Sequence, residues 1–281
     1  MVFESRYRYL PNSIGGQILK PLQSVWMYRG FILSSVKREF QFKYQRSLLG
    51  PCWAVINPLA MILVYTVVFA EVMHAKLPGV NTTFAYSIHL CAGILTWGLF
   101  TEIVTRGQNT FLENANLLKK ISFPRLCLPF VVVLNAGVNF FIIFGLFTGF
   151  LVLSGNFPGW PFVALVPLLT ILVFFAIGLG ITLGVLNVFF RDVGHFFGVF
   201  LQFLFWLTPI VYPANALPPM VSHWMLLNPL APLVAGFQAV LVQGQWPQWN
   251  AVIYPALFAL LLCMQGLHLF RRYAADIVDE L

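Results

Sequence analysis

The sequence predicts an all-α integral membrane protein. It has six transmembrane helices, an N-terminal amphipathic helix at the interface, and short re-entrant outer helices before the last span. Three observations carry this. Mean hydropathy is +0.83, with 59% hydrophobic and 9% charged residues in 281; a soluble domain carries about a quarter charged. Six apolar segments reach or approach the ~20 residues that cross about 30 Å of hydrocarbon. The basic residues are sorted onto alternate connections, the bias that orients membrane proteins.

The six segments are 52–74, 86–107, 127–153, 162–189, 196–212 and 251–270. The fifth is the shortest, but Phe196 to Tyr212 contains no charge. With the N-terminus in the cytoplasm, only two of the 16 Lys and Arg fall elsewhere: Lys76 lies outside and Arg106 at an inner boundary. An even number of spans returns the C-terminus to the cytoplasm. The same sorting accounts for the net charge of +7 without invoking nucleic acid. No apolar core follows Arg6 and Arg8 within the first twenty residues, so no cleavable signal peptide is expected. Cys52, Cys91, Cys127 and Cys263 are scattered, with no C-x-x-C, and read as small apolar residues.

Two parts follow: a cytoplasmic N-terminal segment, 1–50, and a transmembrane domain, 51–281. Within the first, residues 22–46 are apolar enough to touch lipid and too charged to cross it. Val25, Ile32, Val36 and Phe40 form one helical stripe, while Lys37, Arg38, Lys43 and Arg46 cluster for contact with anionic headgroups. A solvated helix packed on a soluble partner is the alternative. Between spans two and three, residues 109–125 are short, polar and helical, with Phe111, Ala115 and Leu118 on one face. Pro124 drives the chain out of helix near Phe123. This segment is a docking knob or a simple connector, and the residues alone leave both open. Residues 213–250 are apolar but cut by six prolines, and pieces such as 220–227 and 233–242 are too short to span. Asn228 followed by Pro229 is a good helix start. Two short helices dipping into the outer leaflet are expected there, covered by protein or a wet cavity. That is a fitting place for a gate.

Chemistry of its own is missing from the sequence. It contains no G-x-x-x-x-G-K-[ST], no G-x-S-x-G, and its five histidines are isolated, so no metal site is expected. Arg191-Asp192 reads as a boundary pair. Glu102 and Arg106 stand four apart on span two and are expected to form an ion pair at the inner mouth. Ionisable groups at that depth face the bundle interior or water. Tyr65, Phe69, Trp97, Phe100, Phe203, Phe205 and Trp206 recur where a lumen could form. Aromatic faces stack on sugar rings; the competing reading for each is core packing or an interfacial belt.

Four stretches resemble one known family: FKYQRSLLGPCWAVINPL (42–59), AGILTWGLF (92–100), NANLLKKISFPRLCLP (114–129) and LNPLAPLVAGFQAVL (227–241). In order, and with matching spans, they are similar to the ABC-2-type permeases of polysaccharide export, closest to the O-antigen type. The resemblance implies a non-enzymatic permease subunit in a bacterial inner membrane, assembled as a homodimer with two copies of a cytoplasmic ABC ATPase. That partner would bind ATP and Mg; no cofactor is implied for this chain. The implied ATPase contact is Asn114, Ala115, Asn116, Leu117, Leu118, Lys119 and Lys120. The implied substrate is a glycan on undecaprenyl diphosphate, moved from cytoplasm to periplasm through an aromatic-lined channel. Gln238 departs from the family pattern, which often has a basic residue there, and leaves a charged outer-face contact in doubt. The alternatives are a capsule or teichoic acid exporter, an ABC-2 drug or lipid exporter, and a membrane-embedded lipid-linked transferase.

Overall fold

The structure is a computed structural model that describes residues 27–44, 49–68, 84–120, 127–213, 225, 227–274 and 276–280. Its helices are α1 (Arg29–Tyr44), α2 (Trp53–Thr66), α3 (Ala85–Glu113), α4 (Ala115–Lys120) and α5 (Cys127–Leu153). They continue as α6 (Leu165–Phe189), α7 (Asp192–Leu207), α8 (Leu230–Gln243), α9 (Trp249–Tyr273) and α10 (Asp276–Glu280). Among the described residues, four apolar stretches are long enough to cross a membrane: Ala85–Glu113, Cys127–Leu153, Trp160–Phe189 and Trp249–Tyr273. Expected spans two, three, four and six lie within them.

The centre of the bundle is a crossing of α3, α6 and α9 at their glycines. A Cβ on Gly178 of α6 would stand 2.6 Å from the Cys263 nitrogen of α9. One on Gly266 of α9 would meet the Gly178 carbonyl at 2.8 Å, and one on Gly184 of α6 the Gly107 carbonyl of α3 at 2.7 Å. Small residues let helix backbones meet in lipid, where apolar burial alone gives no preference for a neighbouring helix. Around this crossing the apolar core gathers Phe100, Phe147, Leu168, Leu172, Phe175, Phe237 and Ala259. Phe100 and Phe175 approach at 5.2 Å between centroids.

The expected fifth span, 196–212, is corrected. Its helix begins earlier, at Asp192, and ends at Leu207; its 16 residues measure about 24 Å. Hydropathy does not register why the helix can stop. Non-helical backbone at membrane depth survives where protein satisfies it. The Pro209 and Val211 carbonyls are so satisfied. Tyr86 Oη donates to the Val211 carbonyl at 2.5 Å, and Gln238 Nε2 donates to the Pro209 carbonyl at 3.0 Å. Asn228 Nδ2 donates to Thr208 Oγ1 at 2.8 Å. Thr208 and Ile210 are fully buried.

Asn228 also starts α8, accepting from the Leu230 amide at 3.0 Å. Of the two expected outer helices, α8 includes 233–242; 220–224 and 226 lie outside the described residues. α8 ends at Gly244, whose φ of +61° places it in the left-handed region that glycine enters without a Cβ penalty. α8 buries Leu230, Leu233, Val234, Phe237, Gln238 and Val240. Gln238 is therefore an interior residue, not an outer-face one.

Two substitutions test this packing. Gly178→Leu should lower the unfolding temperature of the detergent-solubilised protein, the overpacking costing at least about 1–3 kcal/mol because the obstructing atoms are backbone. Gly137→Ala on α5, where a Cβ meets nothing within 4 Å, should be neutral or stabilising; equal tolerance at both sites would contradict the crossing. Gln238→Leu strands the Pro209 carbonyl and should cost about 1–3 kcal/mol in the same assay. An unchanged unfolding temperature would mean that the carbonyl has another donor.

Candidate functional site

Among the described residues, two open regions flank α3 on either side of Trp97 and Gly98. The first is a groove of about 470 Å³ between α3 and α7, lined by Trp97, Thr101, Thr105, Gly198, Leu201, Gln202, Phe205 and Trp206. Trp97 and Phe205 meet edge to face at 5.5 Å, and Phe205 and Trp206 at 5.4 Å. Thr101 gives its hydroxyl proton to the Trp97 carbonyl at 2.9 Å, which leaves its oxygen as an acceptor. The groove so combines aromatic faces with hydroxyl and carboxamide groups, a surface able to stack on a ring and hydrogen-bond its rim.

The second is a cavity of about 350 Å³ between α2, α3 and α5, lined by Trp53, Asn57, Tyr65, Gly98, Glu102 and Asn139 among mainly apolar neighbours. Glu102 Oε2 accepts from Asn139 Nδ2 at 2.9 Å. The ion pair expected between Glu102 and Arg106 is not formed. Arg106 Nη2 instead donates to Glu39 Oε1 of α1. Spacing along one helix made the intrahelical pair plausible, but a partner on a helix distant in sequence captures the guanidinium.

The aromatic candidates thus separate. Trp97, Phe205 and Trp206 share the α3–α7 groove, and Tyr65 lines the other cavity. Phe203, 72% exposed, projects roughly 100° round α7 from Gln202. Phe100 is corrected: it is 1% exposed, packs on Phe175, and belongs to the core. Phe69 lies outside the described residues. Sequence reasoning missed Thr101, Thr105 and Gln202. Their signal was available, because Trp97, Thr101 and Thr105 recur every four residues on one helix.

At the charged end of the bundle, α3 runs past Arg106 to Glu113, bends at Asn114, and continues as α4. Asn114 Nδ2 secures the bend by donating to the Thr110 carbonyl at 2.8 Å. Leu118 is buried in one apolar cluster with Phe111, Leu128, Phe270 and Ile277, and α4 rests on α3 and α10. The support from α10 was not foreseen. Ala115 and Leu117 are half-buried, while Asn116 and Lys119 face outward; Lys120 closes the helix. Nearby, Asn187 of α6 donates to the Gln108 carbonyl at 3.2 Å and accepts from the Gly194 amide at 3.0 Å, fastening the turn into α7 to α3.

On α1, Ile32 is buried against Cys127 and Val131 of α5, with Val36 beside it. Lys37 and Arg38 are exposed. The Lys43 side chain, Arg46 and Val25 lie outside the described residues. Glu39 was missed, although it follows Ile32 by seven residues on the buried face.

The sequence is similar to those of known proteins. The ABC-2 type transporter family matches residues 31–242. An O-antigen export system permease protein RfbA of Klebsiella pneumoniae is 29% identical over 237 residues, covering 84% of this chain and 88% of that protein. RfbA of Myxococcus xanthus is 26% identical over 266 residues, 94% of this chain and 100% of its own length. The polysialic acid transport protein KpsM of Escherichia coli is 22% identical over 235 residues, 83% of this chain and 90% of its own. With its family match running from α1 through α8, this chain belongs to the ABC-2 type transporters.

Proposed function

We propose that the chain is the membrane permease subunit of an ATP-driven exporter that moves polyprenyl-diphosphate-linked polysaccharide, of the O-antigen class, from cytoplasm to periplasm. The carrying observation is the α3–α7 groove, in which Trp97, Phe205 and Trp206 lie beside Thr101, Thr105 and Gln202. Aromatic faces bind sugar rings weakly and repeatedly, and hydroxyls and carboxamides exchange hydrogen bonds without fixing one register. A polymer can slide over such a wall.

Six spans suit this reading, with α2 and α7 added to the four long helices. Both termini then lie in the cytoplasm of an inner-membrane protein, as the positive-inside bias requires. α2 buries only Pro58 and Ile62, and α7 only Phe197 and Leu201. Thinly covered flanks beside a groove favour a homodimer, in which two copies enclose the path that one subunit leaves open. Energy then comes from two ABC ATPase subunits. The outward side chains of α4, Asn116 and Lys119, are best placed to meet them, with Asn114 to Lys120 as the contact segment.

Deleting the gene should trap polyprenyl-linked glycan in the cytoplasm, read by fractionation of labelled polymer; loss of polymer synthesis would favour the transferase. Trp97→Ala, Phe205→Ala and Trp206→Ala should each lower export about tenfold, the scale of losing one aromatic stacking contact of 1–3 kcal/mol. Phe203→Ala should leave it within about twofold. Equal loss at all four positions would remove the groove from the path.

A further inference from the structure

One carboxylate on α1 is gripped from two sides by the bundle. Glu39 Oε1 accepts from Arg106 of α3, and its Oε2 accepts from Asn135 Nδ2 of α5. The two charged side chains keep 36% and 42% exposure. They border a cavity of about 330 Å³ whose walls include Ser35, Thr110, Glu113 and Asn114. An ion pair this wet adds little stability. Its consequence is geometric. The apolar contact of Ile32 with Cys127 and Val131 is non-directional and tolerates sliding. A carboxylate held at both oxygens by planar donors fixes one register between three helices. Arg106, moreover, stands on the unbroken helix that ends at the bend into α4 at Asn114, eight residues or about 12 Å away.

We infer that Glu39, Arg106 and Asn135 form a positioning joint that makes the interface helix α1 move as one body with α4. A displacement at α4 is then delivered to the membrane surface through α3 rather than lost at a sliding contact. The inference rests on the reading of α4 as the ATPase-facing segment. Arg106 serves this joint because Glu102 is engaged by Asn139 instead.

The test uses the full permease–ATPase complex in nanodiscs, with the four native cysteines replaced by Ser and spin labels at exposed Ser34 on α1 and Asn116 on α4. In the wild type, the label separation should be narrow and change by no more than about 1–2 Å, the scale of a small helix shift, when nucleotide is trapped with vanadate. Arg106→Ala and Glu39→Arg should each broaden it; Glu39→Arg combined with Arg106→Glu should narrow it again. Asn135→Leu, which keeps the ion pair and guards against a variant that does not fold, should broaden it less. Substrate moved per ATP should fall about tenfold in the single charge variants and recover in the exchange, within the range for residues along a coupling network. A wild-type separation that changes by a helical turn, about 5 Å, or a charge exchange no narrower than its parents, overturns the joint. The distance measurement needs no cargo, so failure of the polysaccharide reading would appear separately, as absent wild-type transport.

Discussion

Helices in lipid gain no hydrophobic free energy by exchanging hydrocarbon for one another, so their association rests on close packing and polar contact. In this chain the requirement is met at the crossing of α3, α6 and α9. Gly107, Gly178, Gly180, Gly184 and Gly266 bring the backbones together until no Cβ fits at the tightest points. Dispersion falls steeply with a gap of even half an ångström, so this crossing concentrates attraction that larger side chains would dilute. α5, α8 and the tail helix α10 then lean on a spine whose geometry is already decided.

Both ends of the spine are closed by amides bonded to backbone. Asn187 fastens the start of α7 at the charged end, while Gln238 holds the Pro209 carbonyl and Asn228 the Thr208 hydroxyl at the other. A neutral carboxamide suits this task. It supplies donors and acceptors to peptide groups where helices meet or end, without the desolvation cost of a buried charge. Position 238 illustrates the point: a glutamine there completes the Pro209 carbonyl inside the protein, and nothing at that site asks for charge.

The four long spans were legible because a stretch of some twenty apolar residues has few other uses. The fold class followed from them. What hydropathy could not register was hydrogen-bond satisfaction, and this is why residues 208–212 looked helical: the donors that permit their departure, Tyr86, Asn228 and Gln238, are distant in sequence. Pairing failed for the same reason. Glu102 and Arg106 satisfy the rule for neighbours on one helix, yet the partner of Arg106 lies 67 residues away on α1. The groove was half legible. Aromatic content marked Trp97, Phe205 and Trp206, but only the packing of α3 on α6 separates them from Phe100, which sits on the same helix and faces the core.

The burial pattern distributes rigidity unevenly, and that bears on how the α3–α7 groove can widen. α3 and α6 bury most of their inner faces in the spine. α2 and α7 bury two residues each and border the two open regions on either side of Trp97 and Gly98. Local freedom of movement is greatest where buried apolar contacts are fewest. A change in the width of either open region therefore comes most cheaply from moving α2 or α7 against α3, with the glycine crossing left intact. The turn at Asn187 ties α7 to α3 at the charged end, and the contacts of Thr208 and Pro209 tie it at the other. Translation of α7 as a whole is opposed at both anchors, which leaves rotation or bowing about them as the low-cost motion. Such a motion would turn Gln202, Phe205 and Trp206 relative to Trp97 and Thr101 without breaking a backbone hydrogen bond.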